Sequence, residues 1–139
     1  MSYTHPGYSK RINPLAGPGF SVSGSAIELV SVNALGGHRV VRSEAGILRY
    51  VNQSDVNDAT AVIGLTLNAV SAGGKVRIHL LGTVTESSWT WIPDQPLFVG
   101  DNGLLTQTAP SLGFSMLVGT AISADTINFD TKVPILLES

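Results

Sequence analysis

The densest cluster of oxygen donors in this 139-residue chain is Asn52-Gln53-Ser54-Asp55-Val56-Asn57-Asp58. Oxygens at every second position suit calcium, but a calcium loop also needs a glycine at its bend and a distal bidentate glutamate. Both are missing, so the expectation is a polar loop held by Asx turns, with a weak calcium or partner contact as the alternative. Ser71-Ala72-Gly73-Gly74-Lys75 ends like a phosphate loop. Yet Ala69 stands where the first glycine belongs and Val76 where a hydroxyl would hold magnesium. With a strand following rather than a helix, this is a turn. Gly113-Phe114-Ser115-Met116-Leu117 lacks the closing glycine of a nucleophile elbow. His5, His38 and His79 show neither HxH nor HExxH spacing and read as surface residues, implying no metal and no cofactor. The acids lie mostly on turns, at Glu44, Asp55, Asp58, Asp94, Asp101 and Asp125, so no paired carboxylates are expected to flank a cleft. The chain reads as a protein without enzymatic chemistry.

Trp89 and Trp91 are the strongest remaining feature. Two positions apart in an extended segment, they point to the same side. Three readings stay open. They close one end of the core with Pro93 and Pro96 stiffening the edge, they anchor a protein interface, or they form an aromatic shelf for a sugar.

The elements that would position these residues are strands. Ala26–Asn33, His38–Ser43 and Gly46–Asn52 come first, the last two joined by a turn at Glu44-Ala45-Gly46. Thr60–Val70 sets Ala61, Ile63, Leu65, Leu67 and Ala69 on one face, a period of two. Lys75–Thr85 puts Val76, Ile78 and Leu80 on a dry face and Lys75, Arg77 and His79 on a wet one. Pro96–Gly100 and Gly103–Thr108 flank a tight turn at Asp101-Asn102-Gly103, where Asn and Gly tolerate positive φ. Phe114–Ser123, Thr126–Asp130 and Val133–Glu138 complete the chain, with a turn at Ala124-Asp125. Short strands with turn signals every 8–12 residues describe an all-β protein. The expected domain, residues 26–139, is a single antiparallel β-sandwich, jelly-roll-like, or else a small β-barrel.

Residues 1–25 differ in carrying Gly and Pro punctuation without periodicity, and Lys10 and Arg11 are their only charged side chains. They read as an extended N-terminal arm that orders on a partner, its contacts made by Tyr3, His5, Tyr8, Lys10 and Arg11. Charged residues are only 13 % of the chain, about half the usual quarter, so a neutral face is expected to be buried against another subunit. A net charge of −2 gives no footprint for nucleic acid. Cysteine is absent, and neither a secretory signal nor a membrane-spanning run is read, which places synthesis in the cytoplasm.

Trp89-Thr90-Trp91, Gln95-Pro96-Leu97-Phe98, Asn102-Gly103-Leu104-Leu105-Thr106-Gln107-Thr108, Gly113-Phe114 and Val118-Gly119 together resemble the small head decoration (cement) proteins of tailed bacteriophages, with similar modules in fibre proteins. The resemblance runs from about Ala34 to Leu137. It implies a virion protein on the outer surface of the head, made in the host cytoplasm, that binds across major capsid protein subunits. Trp89 and Trp91 would join the arm as contacts, and a homodimer is favoured over a trimer because closed two-fold contacts are the commoner solution. The alternative is a tail-fibre module that grips a host surface glycan. No nucleic acid or membrane partner is expected.

Overall fold

A computed structural model describes residues 20–22 and 24–137. Twelve strands order these residues: β1 (Phe20–Val22), β2 (Ser25–Val30), β3 (Val40–Glu44), β4 (Ile47–Tyr50), β5 (Val62–Thr66), β6 (Lys75–Glu86), β7 (Pro96–Val99), β8 (Leu105–Thr106), β9 (Phe114–Ser115), β10 (Leu117–Ala121), β11 (Thr126–Phe129) and β12 (Ile135–Leu136). All pairings are antiparallel, and short 3-10 turns at Val56–Asp58 and Asp101–Gly103 are the only helical pieces among the described residues. The main sheet runs β4-β3-β5-β6-β11-β10-β7-β8, with β1 and β2 on the other edge of β6, and β9 pairs with β12 in a second small sheet. The main sheet curls into a half-barrel, so the all-β antiparallel architecture expected from alternation is the one observed.

Strand β6 holds both layers. Its first half pairs with β2 and β5 and its second half with β1 and β11. A bulge makes that possible, because Ser25 opposes Leu81 while Ala26 opposes His79, leaving an extra residue on β6. The extra residue exchanges the faces. Before it, Val76 and Ile78 enter a core with Leu35, Val41 and Leu48, whereas after it Val84 enters the main core with Phe114, Ile127 and Phe129. Gly82 takes the bend at φ 118°, and a side chain on Gly24 (φ 110°) would collide with the Leu81 carbonyl oxygen.

Three expectations change here. His79 does not stand on a wet face: it is 1 % exposed and packs against Phe129, since the odd residues before the bulge face the main core. The expected arm also ends earlier, because Phe20–Val22 and Ser25 are strand residues paired with β6. The expected strand at residues 114–123 is divided between β9 and β10, which lie in different sheets. The Asp101-Asn102-Gly103 turn is a 3-10 turn with Asn102 at φ 58° and Gly103 at φ 69°. It docks on the opposite layer, where the Gly103 amide donates to the Val51 carbonyl at 2.7 Å.

The polar loop at residues 52–58 supplies a structural knot. Asp55 caps its turn by accepting the Asn57 amide at 3.0 Å, as an Asx turn does. Asp58 is fully buried between Arg42 and Arg49, which lie directly opposite on β3 and β4. Like charges so placed repel, and the carboxylate neutralises them. Its Oδ1 accepts from Arg42 and Arg49 at 2.7 Å each, and its Oδ2 from Arg49 at 3.0 Å and the Asn52 amide at 2.8 Å. Burial alone would raise the Asp58 pKa, but these bonds outweigh it and hold the carboxyl below the usual carboxylate range. Asp58 is thus committed to arginines rather than to a cation. Among the described residues, no three His, Asp or Glu side chains stand close enough to share a metal ion.

Asp58→Ala leaves two opposed guanidiniums with nothing between them. Breaking a buried pair costs about 3–5 kcal/mol, which the partial exposure of both arginines reduces to about 2–3 kcal/mol; urea unfolding measures it. Neither ring nitrogen of His79 makes a well-formed hydrogen bond among the described residues; burial lowers its pKa from 6.5, and the nearby Gly82 backbone, poorly aligned, pulls weakly the other way. The unfolded chain therefore takes up a proton at a pH where the folded protein does not. Stability is full above about pH 6.5 and is lost as pH falls from there through the lowered folded value. Thermal scans are expected to show Tm dropping across that window, and His79→Leu to remove part of the drop, with His38, also lowered by burial, supplying another part.

Candidate functional site

The tryptophan segment follows β6 and has no regular structure of its own, so other elements must hold it. The Glu86 amide donates to the Asp125 carbonyl at 2.9 Å, the Trp91 amide to the Ala124 carbonyl at 2.8 Å and the Asp94 amide to the Ala121 carbonyl at 2.7 Å. The β10–β11 turn thus carries the segment along its length. From just past β8 the Gln107 side chain closes a two-bond clamp: its carbonyl accepts the Ile92 amide and its amide donates to the Ile92 carbonyl, each at 2.9 Å. A side chain here does what a neighbouring strand would do.

Trp89 and Trp91 lie side by side, ring centroids 5.8 Å apart and planes inclined at 54°. Both are half-buried, packed against the main core. They therefore close one end of that core and still face solvent. With Ile92, Leu105 and Gln107 they line an open groove of about 400 Å³. The indole nitrogen of Trp91 is buried with no hydrogen-bond partner among the described residues, which is an unusual cost for an indole. Thr106 separates this groove from a second open one of about 510 Å³ beside Ser54, Asp101 and Thr108.

His38 reaches the same place from a loop. The Thr66 hydroxyl donates to the Gly36 carbonyl at 2.7 Å and accepts the Arg39 amide at 2.9 Å, while the Thr66 carbonyl accepts the His38 amide at 2.6 Å. So pinned, His38 adopts φ 58° and meets Trp89 edge-on at 5.2 Å. Burial lowers the His38 pKa, and the Glu86 carboxylate pulls it back up. Glu86 itself is held below the usual carboxylate range, first by the Ser88 hydroxyl, which donates to it at 2.6 Å, with burial opposing and His38 assisting. The Ser88 hydroxyl thus points at a weakly basic carboxylate, an arrangement that suits binding better than nucleophilic attack.

The side chains Tyr3, His5, Tyr8, Lys10 and Arg11 lie outside the described residues. The root of their segment is placed, since Phe20 opposes Glu86, three positions before Trp89. The structure therefore brings the arm's root and the tryptophan pair to one end of the molecule. His38, Glu86, Ser88 and Gln107 join them there, and sequence reading missed all four. Only Gln107 left a signal, as the penultimate residue of the Asn-Gly-x-Leu-Thr-Gln-Thr run. His38 arrives from more than fifty positions away and left none.

Trp89→Ala uncovers His38 and is expected to cost about 2 kcal/mol for a half-buried ring. The His38 pKa, followed by proton NMR, should then rise toward and past its ordinary 6.5 as burial is relieved and Glu86 remains. An unchanged value would mean that Trp89 does not shield it. Comparison with protein-family models finds no match for the chain, and comparison with the curated proteins finds none.

Proposed function

We propose that this chain is a structural protein of a tailed-phage virion that decorates and stabilises the head by binding across major capsid protein subunits. The observation that carries the proposal is the convergence of the arm's root and the Trp89–Trp91 pair at one end of a half-barrel. Such an end offers a half-buried aromatic anchor beside a tether, the arrangement that concentrates binding energy in a protein interface. The phage assignment itself rests on the resemblance of residues 34–137 to decoration proteins. The largest ionic cluster is structural, because Asp58, Arg42, Arg49 and Glu44 are engaged with one another. The role is mechanical: each copy holds neighbouring capsid subunits together, and many copies add.

A second reading keeps one specific support. The open groove beside Trp91, walled by the two indole rings, also suits stacking of a sugar, as a fibre module would require.

Cosedimentation with heads that lack the protein tests the first reading. The full chain is expected to bind saturably at a fixed ratio to the major capsid protein, and a chain lacking residues 1–19, which keeps β1, to lose that binding. Absence of saturable binding by the full chain overturns the decoration reading. Quenching of the two tryptophans by host glycans, without binding to heads, would replace it with the second.

A further inference from the structure

Strand β2 is an edge that nothing in the described structure covers. Hydrogen bonding fixes which of its groups face outward. The Ser31 amide donates to the Gly74 carbonyl at 2.8 Å and the Ser31 carbonyl accepts the Gly73 amide at 2.6 Å. Odd-numbered residues of β2 therefore bond toward β6, and Ala26, Glu28 and Val30 direct their amides and carbonyls away from it. Among the described residues β2 pairs with β6 alone.

The side chains are equally bare. Ile27 and Leu29, opposite the buried Ile78 and Val76, continue the second core's face into solvent at 38 % and 37 % exposed. On the other face Val30 is 61 % exposed. Edge strands are ordinarily blunted by charged side chains or proline, and two of the other edges here carry one: Arg49 stands on β4 and Pro134 precedes β12. From Ser25 to Val32 there is neither, and Glu28 is the single charge.

We infer that β2 is a homodimer edge, paired antiparallel with β2 of a second copy about a two-fold axis at Leu29. A second copy fits because the strand is complementary to itself in this register. Glu28 of one copy falls opposite Val30 of the other, both with outward-facing hydrogen-bonding groups, and Leu29 meets Leu29 as a close non-hydrogen-bonded pair. Centring the axis on Glu28 instead opposes two carboxylates, which is unfavourable. Centring it on Ile27 leaves Val30 opposite Gly24, whose φ of 110° departs from strand geometry, and strands the exposed Val30 and Val32 outside the seam. A ribbon of this length buries less than the roughly 1,600 Å² of a standard interface, so the dimer forms in a concentration-dependent way. It needs no capsid, so its failure would leave the decoration reading untouched.

The chain has no cysteine, which makes single-cysteine variants of the full protein clean reporters. In the Leu29-centred register the Leu29 Cα atoms stand about 4.5 Å apart, within disulfide range, whereas Ile27 is about 13 Å from its counterpart. Leu29→Cys should oxidise almost entirely to a disulfide dimer and Ile27→Cys should stay monomeric on the same non-reducing gel. Sedimentation of the unmodified chain should show monomer giving way to dimer as concentration rises. Glu28→Pro, which removes an outward amide, should abolish the dimer. Should that variant not fold, Leu29→Lys sets two cations on the axis and serves instead. A monomer at every concentration, preferential crosslinking at Ile27, or a dimer that survives both substitutions overturns the inference.

Discussion

The change of face within β6 is the constraint from which the rest of the molecule follows. A strand that kept strict alternation over twelve residues would serve one core on one side. The extra residue opposite the Ser25–Ala26 step lets the same run of even-numbered side chains fill one core before the bend and another after it. That inversion lets β5 and β11 leave the same edge of β6 into separate layers, and the curled sheet results. Gly24 and Gly82 are where the chain can bear it, since both hold positive φ and Gly24 lies against the Leu81 carbonyl.

The bend also builds the tryptophan end. Past the bulge, β6 carries Glu86 to the β10–β11 turn, whose carbonyls receive the amides of the tryptophan segment. Opposite it, the Thr66 hydroxyl fixes the loop that lifts His38 under Trp89. A segment without secondary structure is thereby held as firmly as a strand, at the expense of one buried indole N–H. Rigid aromatic rings at the margin of a core present large contact area with little entropy left to lose, which is what an interface anchor requires.

The largest ionic cluster is turned inward. Asp58 sits between two arginines that the β3–β4 register sets face to face, and the loop at residues 52–58 exists in its observed form to deliver that carboxylate. With ionic groups spent in this way and few charges overall, the surface is left neutral and in places apolar. Strand β2 is the clearest case.

Period-two alternation at Val76–Ile78, the Ala45-Gly46 and Ala124-Asp125 turns, and the absence of helical repeats were enough to determine an all-β antiparallel protein, because side-chain periodicity and turn chemistry are local properties. The Asp55 cap was legible for the same reason. What the tertiary structure alone decided is everything that depends on register. His79 reads as a surface residue until the bulge inverts the faces of β6, and a bulge adds one residue without any compositional mark. Asp58 reads as one more loop carboxylate until Arg42 and Arg49 are known to be opposite one another. The site was half legible: Trp89 and Trp91 announce themselves by size and spacing. His38 could not, since it meets Trp89 only after distant strands pair, and pairing partners are not written in alternation.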